Sequence, residues 1–76
     1  MDVAIVTGAS SSLGLSVSKR LIQMGFRVYG LGGDYQGCEL KNVDFIPISC
    51  DLSDWETLQS KVEEIIEKEG AIYTLI

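Results

Sequence analysis

The chain has 76 residues, a net charge of −5 and 46% hydrophobic residues. That is a globular composition, and a small one, so a large share of the surface stays exposed even when folded. The six basic residues form no cluster among the eleven acidic ones, which excludes a nucleic-acid footprint and a polybasic membrane patch.

The first residues, Met1-Asp2-Val3, carry an acid where a signal peptide carries positive charge, and no apolar run approaches a membrane span. A cytoplasmic location is expected on that basis. Cys38 and Cys50 are too far apart for a CxxC redox or zinc pattern and are read as free thiols. With no histidine present, nucleophile–histidine triads are excluded for this chain.

Residues 3–6, Val-Ala-Ile-Val, form a short apolar run rich in β-branched side chains and predict a strand buried on both faces. Thr7-Gly8 ends it. Ser10, Ser11 and Ser12 are candidate helix caps, and a helix is predicted over residues 13–24 with Leu13, Val17, Leu21, Ile22 and Met24 as its apolar stripe. Gly25 stops that helix.

A second strand is predicted over residues 28–31, with Gly32-Gly33-Asp34 turning the chain out of it. Residues 35–42 read as loop. A third strand spans residues 43–49, and Pro47 marks it as an edge strand because proline cannot donate to a ladder.

Ser53-Asp54-Trp55-Glu56 has the form of a capping box. The helix it opens runs to about Glu69, with Trp55, Leu58, Val62, Ile65 and Ile66 as the inner stripe, and Gly70 ends it. A fourth strand is expected over residues 71–76. Strands alternating with helices imply an α/β fold with a parallel sheet. The expected spatial order is 3-2-1-4, the N-terminal part of a Rossmann-like doubly wound sheet.

The informative segment is Thr7-Gly8-Ala9-Ser10-Ser11-Ser12-Leu13-Gly14, placed between the first strand and the first helix. A helix N-terminus there offers unpaired N–H groups and partial positive charge to a pyrophosphate, and glycine lets the backbone approach it. No Gly-Lys-Ser/Thr follows, which rules out a Walker loop. On residues alone a tight turn without a ligand remains open.

This turn resembles the Thr-Gly-x-x-x-Gly-x-Gly turn of short-chain dehydrogenases/reductases. The resemblance extends from the first strand to the fourth and includes Gly25-Phe26-Arg27-Val28, Cys50-Asp51-Leu52 and residues 72–76. It implies a dinucleotide cofactor, NADP or NAD, and hydride transfer with a small carbonyl or alcohol substrate.

On the same resemblance Gly8 and Gly14 match the first and third glycines, and Leu13 the apolar residue beneath the cofactor. Asp51 matches the carboxylate that accepts from the adenine amino group, and Leu52 the residue whose N–H faces the adenine ring. Asp51 equally suits a plain turn ahead of Ser53.

Two departures stand out. Ser12 replaces the middle glycine, and its hydroxyl could donate to a phosphate oxygen. At the end of the second strand Gly32 and Gly33 replace the acid that would hold a ribose 2′-OH, and Ser11 in the turn supplies no base. The balance leans to NADP, with Asp34 close enough to favour NAD. Gly8, Ser10, Ser11, Ser12, Leu13, Gly14, Gly32, Gly33, Asp51 and Leu52 are thus the candidate cofactor residues.

The family's catalytic Ser, Tyr-x-x-x-Lys and Asn lie beyond the fourth strand, so the resemblance implies no catalytic residue here, and Tyr73 reads as a strand residue. No metal ligand set is expected. A homo-oligomer is expected. A stand-alone nucleotide-binding module and a small α/β interaction domain are the alternatives.

Overall fold

Apolar β-branched residues at Val3, Ile5 and Val6 favour extended backbone, and the computed structural model places them in β1, Val3–Thr7. The structure describes residues 2–33, 35, 40, 42–72 and 74–76. Asp34, Cys38, Tyr73 and most of the expected 35–42 loop lie outside the described residues. The other elements are α1 (Ser12–Gln23), β2 (Arg27–Gly32), β3 (Phe45–Ser49), α2 (Trp55–Glu69) and β4 (Thr74–Leu75).

The four strands form one sheet in the order β3-β2-β1-β4, with every neighbouring pair parallel. β1 is therefore central and covered on both faces, which explains its unbroken apolar character. Its alternate residues feed two cores. Val3 and Ile5 join Tyr29, Leu31, Cys50 and Ile65 under α2. Ala4 and Val6 join Ala9, Val28 and Phe45 under α1.

β3 pairs with β2 alone, so the proline within it, Pro47 opposite Gly30, sits on an edge strand. Pairing beside β1 extends one residue past β4: the Thr7 amide donates to the Ile76 carbonyl at 2.7 Å, and the Ile76 amide to the Ile5 carbonyl at 2.8 Å. Among the described residues no helix is long and apolar enough to cross a membrane.

Several boundaries differ from the sequence-based expectation, each for a local reason. β3 begins at Phe45 rather than Val43, because the Asn42 side chain accepts from the Asp44 amide and turns the chain there. Val43 is left 93% exposed. Gly32 continues β2 instead of turning out of it, because the Cys50 amide donates to its carbonyl at 2.8 Å.

Ser53 does not cap α2. Its amide and hydroxyl both donate to Asp51 Oδ1, at 2.9 and 2.7 Å, so Asp54 takes over as the cap and accepts from the Thr57 amide. The inner stripe of α2 is narrower than expected. Leu58, Val62 and Ile65 pack on the sheet, whereas Trp55 is 71% exposed and Ile66 is exposed as well. On α1, Leu15, Val17, Leu21 and Ile22 pack inward, while Leu13 and Met24 face solvent.

One polar cluster ties the start of β2 to the end of α2. Arg27 Nη1 reaches both carboxylate oxygens of Glu69, at 3.2 and 3.0 Å, and the Tyr29 hydroxyl donates to Glu69 Oε2. The Tyr29 hydrogen bond, then the Arg27 guanidinium, hold the Glu69 carboxyl below its ordinary value of 4.5. Burial, then that hydrogen bond, push the Tyr29 hydroxyl up to about 12.

A depressed carboxylate stabilises the fold above its unfolded-state value and loses that contribution as pH falls through its folded value. Glu69→Gln is expected to lower stability at neutral pH and to flatten the acid limb of a thermal-unfolding series run from about pH 3 to about pH 7. An unchanged acid limb would show that the cluster does not couple to folding.

Candidate functional site

Because all strand pairs are parallel, the C-terminal ends of β1, β2 and β3 lie along one edge of the sheet. Such an edge, outside the carboxyl ends of the strands, is where open α/β sheets place ligands. The turn after β1 sits there. Gly8 has φ +67°, a left-handed backbone that other residues rarely adopt, and it reverses the chain toward α1.

Ser11 then closes the turn. Its hydroxyl donates to the Gly8 carbonyl at 2.8 Å and accepts from the Gly14 amide at 3.1 Å. Of the three candidate serines, Ser11 is thus the helix cap. The amides of Ser12 and Leu13 precede the first intrahelical bond, which the Leu15 amide makes to the Ser11 carbonyl. Ser12 and Leu13 are both exposed, and the first turn of α1 carries no acid. The Ser12 hydroxyl and the amides of Ser12 and Leu13 have no partner among the described residues, and with the positive end of the helix they offer the chemistry an anion needs.

Close packing holds this turn in place. A Cβ on Gly14 would lie 2.2 Å from the Gly8 carbonyl oxygen and 2.6 Å from Ala9 Cα, so the helix rests directly on the turn backbone. Ser18, fully buried one turn later, donates to the Gly14 carbonyl at 2.8 Å and keeps that face of α1 small.

β2 contributes a bare face. Val28, Gly30 and Gly32 alternate toward α1, and Cβ atoms on the two glycines would collide with Ala9 and Ser10 respectively. The Ala9 amide donates to the Leu31 carbonyl at 3.2 Å and ties the turn to β2. Ala9, Ser18 and Gly30 were not among the candidate residues. The spacing of Gly30 and Gly32, two apart within a strand and hence on one face, was a usable signal.

A second part of the site adjoins the first. An open cavity of ≈ 550 Å³ is lined by Gly33, Ser49, Cys50, Asp51, Leu52 and Ser53. The Ser53 hydroxyl, then its amide, hold the Asp51 carboxyl below the usual range, so Asp51 is an anion at neutral pH. Both Ser53 bonds go to Oδ1, and Oδ2 has no partner among the described residues. The turn reading and the ligand reading of Asp51 thus use different oxygens. Leu52, in the same cavity, is partly exposed. The candidate residues fall into two adjacent groups, Gly8, Ser10, Ser11, Ser12, Leu13, Gly14 and Gly32 around the turn, and Gly33, Asp51 and Leu52 in the cavity.

The model of the short chain dehydrogenase family matches residues 2–76. A short-chain type dehydrogenase/reductase of Sinorhizobium fredii is 35% identical over 63 residues, covering 80% of this chain and 25% of that protein. The crystal structure of a 3-ketoacyl-(acyl-carrier-protein) reductase from Brucella melitensis complexed with NADH superposes with a TM-score of 0.84 at 27% identity, covering 97% of this chain and 32% of that one. An F189W actinorhodin polyketide ketoreductase with NADPH superposes with a TM-score of 0.82 at 27% identity, covering 97% and 31%. The chain thus spans between a quarter and a third of the length of these proteins.

Proposed function

The chain belongs to the short-chain dehydrogenase family, and from that membership we propose that it forms the cofactor-binding portion of an oxidoreductase using NADP(H) or NAD(H) on a carbonyl or alcohol substrate. In this reading residues 1–76 are the N-terminal part of a doubly wound domain, and the order 3-2-1-4 is its first half.

The observation that carries the reading is the turn itself. Gly14 sits on the Gly8 carbonyl, Ser11 is consumed as a cap, and the amides of Ser12 and Leu13 are left for a pyrophosphate. Gly8 and Gly14 shape the backbone, the Ser12 hydroxyl supplements its amide, and the Leu13 side chain supplies an apolar surface that the cofactor would cover. Gly32 and Gly33 border the adenosine ribose, and Asp51 and Leu52 hold the adenine. The bound nicotinamide supplies the hydride chemistry. The residues of this chain bind and orient it, and none is assigned a proton transfer.

The lean toward NADP rests on the missing acid at Gly32 and Gly33, while the two solved relatives carry one NADPH and one NADH. Fluorescence titration of NADPH and NADH into the protein tests the reading, and failure of both to bind would end it.

The adenine assignment is tested separately. Asp51 Oδ2 is free to accept from the adenine amino group, so Asp51→Ala is expected to weaken NADPH roughly tenfold or more, the scale of a hydrogen bond to a charged group. The hypoxanthine analogue, which lacks that amino group, should lose much less. Equal losses for the two nucleotides would return Asp51 to its bond with Ser53 alone.

A further inference from the structure

Ser53 is not among the candidate cofactor residues, yet it lines the same cavity as Asp51. Its amide and its hydroxyl both donate to Asp51 Oδ1, at 2.9 and 2.7 Å. The backbone on either side is fixed as well. The Cys50 amide donates to the Gly32 carbonyl at 2.8 Å, and the Asp51 carbonyl accepts from the Asp54 amide at 3.0 Å. Two donors on one oxygen set the plane of the carboxylate and leave Oδ2 without a partner among the described residues.

The helix that follows does not need this arrangement. Asp54 caps α2: its Oδ1 accepts from the Thr57 amide at 3.3 Å and its Oδ2 from the Thr57 hydroxyl at 2.8 Å. The Ser53 hydroxyl is spent on Asp51 and not on α2. Capping and the clasp on Asp51 are therefore carried by different side chains and can be removed one at a time.

We propose that Ser53 is a positioning residue for base selection: it clasps one oxygen of Asp51 so that the other is presented to a 6-amino purine and refused to a 6-oxo purine. The proposal rests on the dinucleotide reading of this site, and it gives Ser53 no contact with the nucleotide. An unclasped aspartate turns about both side-chain bonds, and binding must order it. Clasped by Ser53, it is ordered before the nucleotide arrives. The same two bonds hold the carboxyl below the usual carboxylate range. An ionised oxygen only accepts, so it takes the amino group of adenine and repels the 6-oxo group of hypoxanthine. Ser53 thus sharpens the choice between bases and does not raise affinity for every nucleotide.

The test is titration of NADPH and its hypoxanthine analogue into the full chain and into its Ser53→Ala, Ser53→Thr, Asp54→Ala and Asp51→Ala variants, with circular dichroism to verify folding. Ser53→Ala is expected to weaken NADPH roughly three- to tenfold, since one of the two bonds to Oδ1 remains, and to change the analogue by less than about twofold. Ser53→Thr keeps the hydroxyl and should bind both nucleotides like the wild type. Asp54→Ala removes the cap of α2 and should lower the melting temperature without changing the ratio of the two affinities. In the Asp51→Ala background, Ser53→Ala should add nothing. A Ser53→Ala variant that keeps the wild-type ratio, or a threonine variant no better than the alanine one, would overturn the role of Ser53 and leave the dinucleotide reading standing. A wild-type chain that binds neither nucleotide would overturn both.

Discussion

Gly14→Ala is expected to destabilise the fold and to weaken dinucleotide binding in the same variant. On an ordinary helix this substitution stabilises, by about 1 kcal/mol, because glycine is the poorer helix former. Here the sign reverses. The new Cβ would stand 2.2 Å from the Gly8 carbonyl oxygen, 2.6 Å from Ala9 Cα and 2.8 Å from the Gly8 carbonyl carbon. All three are backbone atoms, so no rotamer change relieves the contact. α1 must move off the turn, and overpacking of this kind costs about 1–3 kcal/mol or more, enough to exceed the gain in propensity.

The shift would also break the Ser18 hydrogen bond to the Gly14 carbonyl and the Ser11 cap on the Gly14 amide. The amides of Ser12 and Leu13 would lose their alignment, and NADPH affinity is expected to fall roughly tenfold or more, on the scale of lost hydrogen bonds to a charged phosphate. Ser16→Ala, at an exposed position of α1, serves as the control and should leave both quantities unchanged. The paired measurement is a denaturant melt and a nucleotide titration. A Gly14→Ala variant more stable than the wild type would contradict the packing of the turn.

Periodicity made the elements visible, and local hydrogen bonding decided where they end. The apolar runs around Ile5 and Val28 announce buried parallel strands, because such strands meet helices on both faces. What periodicity does not reveal is which polar side chain captures which amide. Ser53 and Glu56 have the spacing of a capping box, yet Asp51 reaches Ser53 first and Asp54 becomes the cap. Trp55 and Ile66 have helical spacing with Leu58 and Ile65, yet only Leu58 and Ile65 of these four pack on the core under α2, and Trp55 and Ile66 stay exposed.

The candidate site divides in the same way. The glycines and serines of the turn are legible in order along the chain. The division of labour among Ser10, Ser11 and Ser12 is not, since it depends on Gly32 arriving from another strand and on Gly14 folding back over Gly8. Gly30 shows the point most sharply. In the sequence it is a flaw in a strand, and in the fold it is the floor under Ala9.

Gly30→Val therefore separates local preference from tertiary packing. Valine is favoured in strands over glycine by about 1 kcal/mol in host proteins, so a strand judged by propensity alone would gain. At this position the first added carbon would already lie 2.8 Å from Ala9 Cβ and 2.8 and 2.9 Å from Phe45 Cζ and Cε1. Ala9 is fully buried, and Phe45 is buried against Val28 and packed edge-on to Tyr35, so neither can withdraw without disturbing the core under α1. Stability is expected to fall by about 2–3 kcal/mol net, the upper range for overpacking.

Lifting Ala9 would also strain its hydrogen bond to the Leu31 carbonyl, so nucleotide affinity should decline with stability. Gly33→Ala is the matched comparison. Its added carbon meets nothing within 4 Å, and its effect on the melt should stay within about 0.5 kcal/mol. Phe45→Leu added to Gly30→Ala removes the two ring atoms but leaves the contact with Ala9, so it should restore part of the stability and little of the nucleotide affinity. Equal effects of valine at position 30 and alanine at position 33 would mean that the bare face of β2 does not carry the turn.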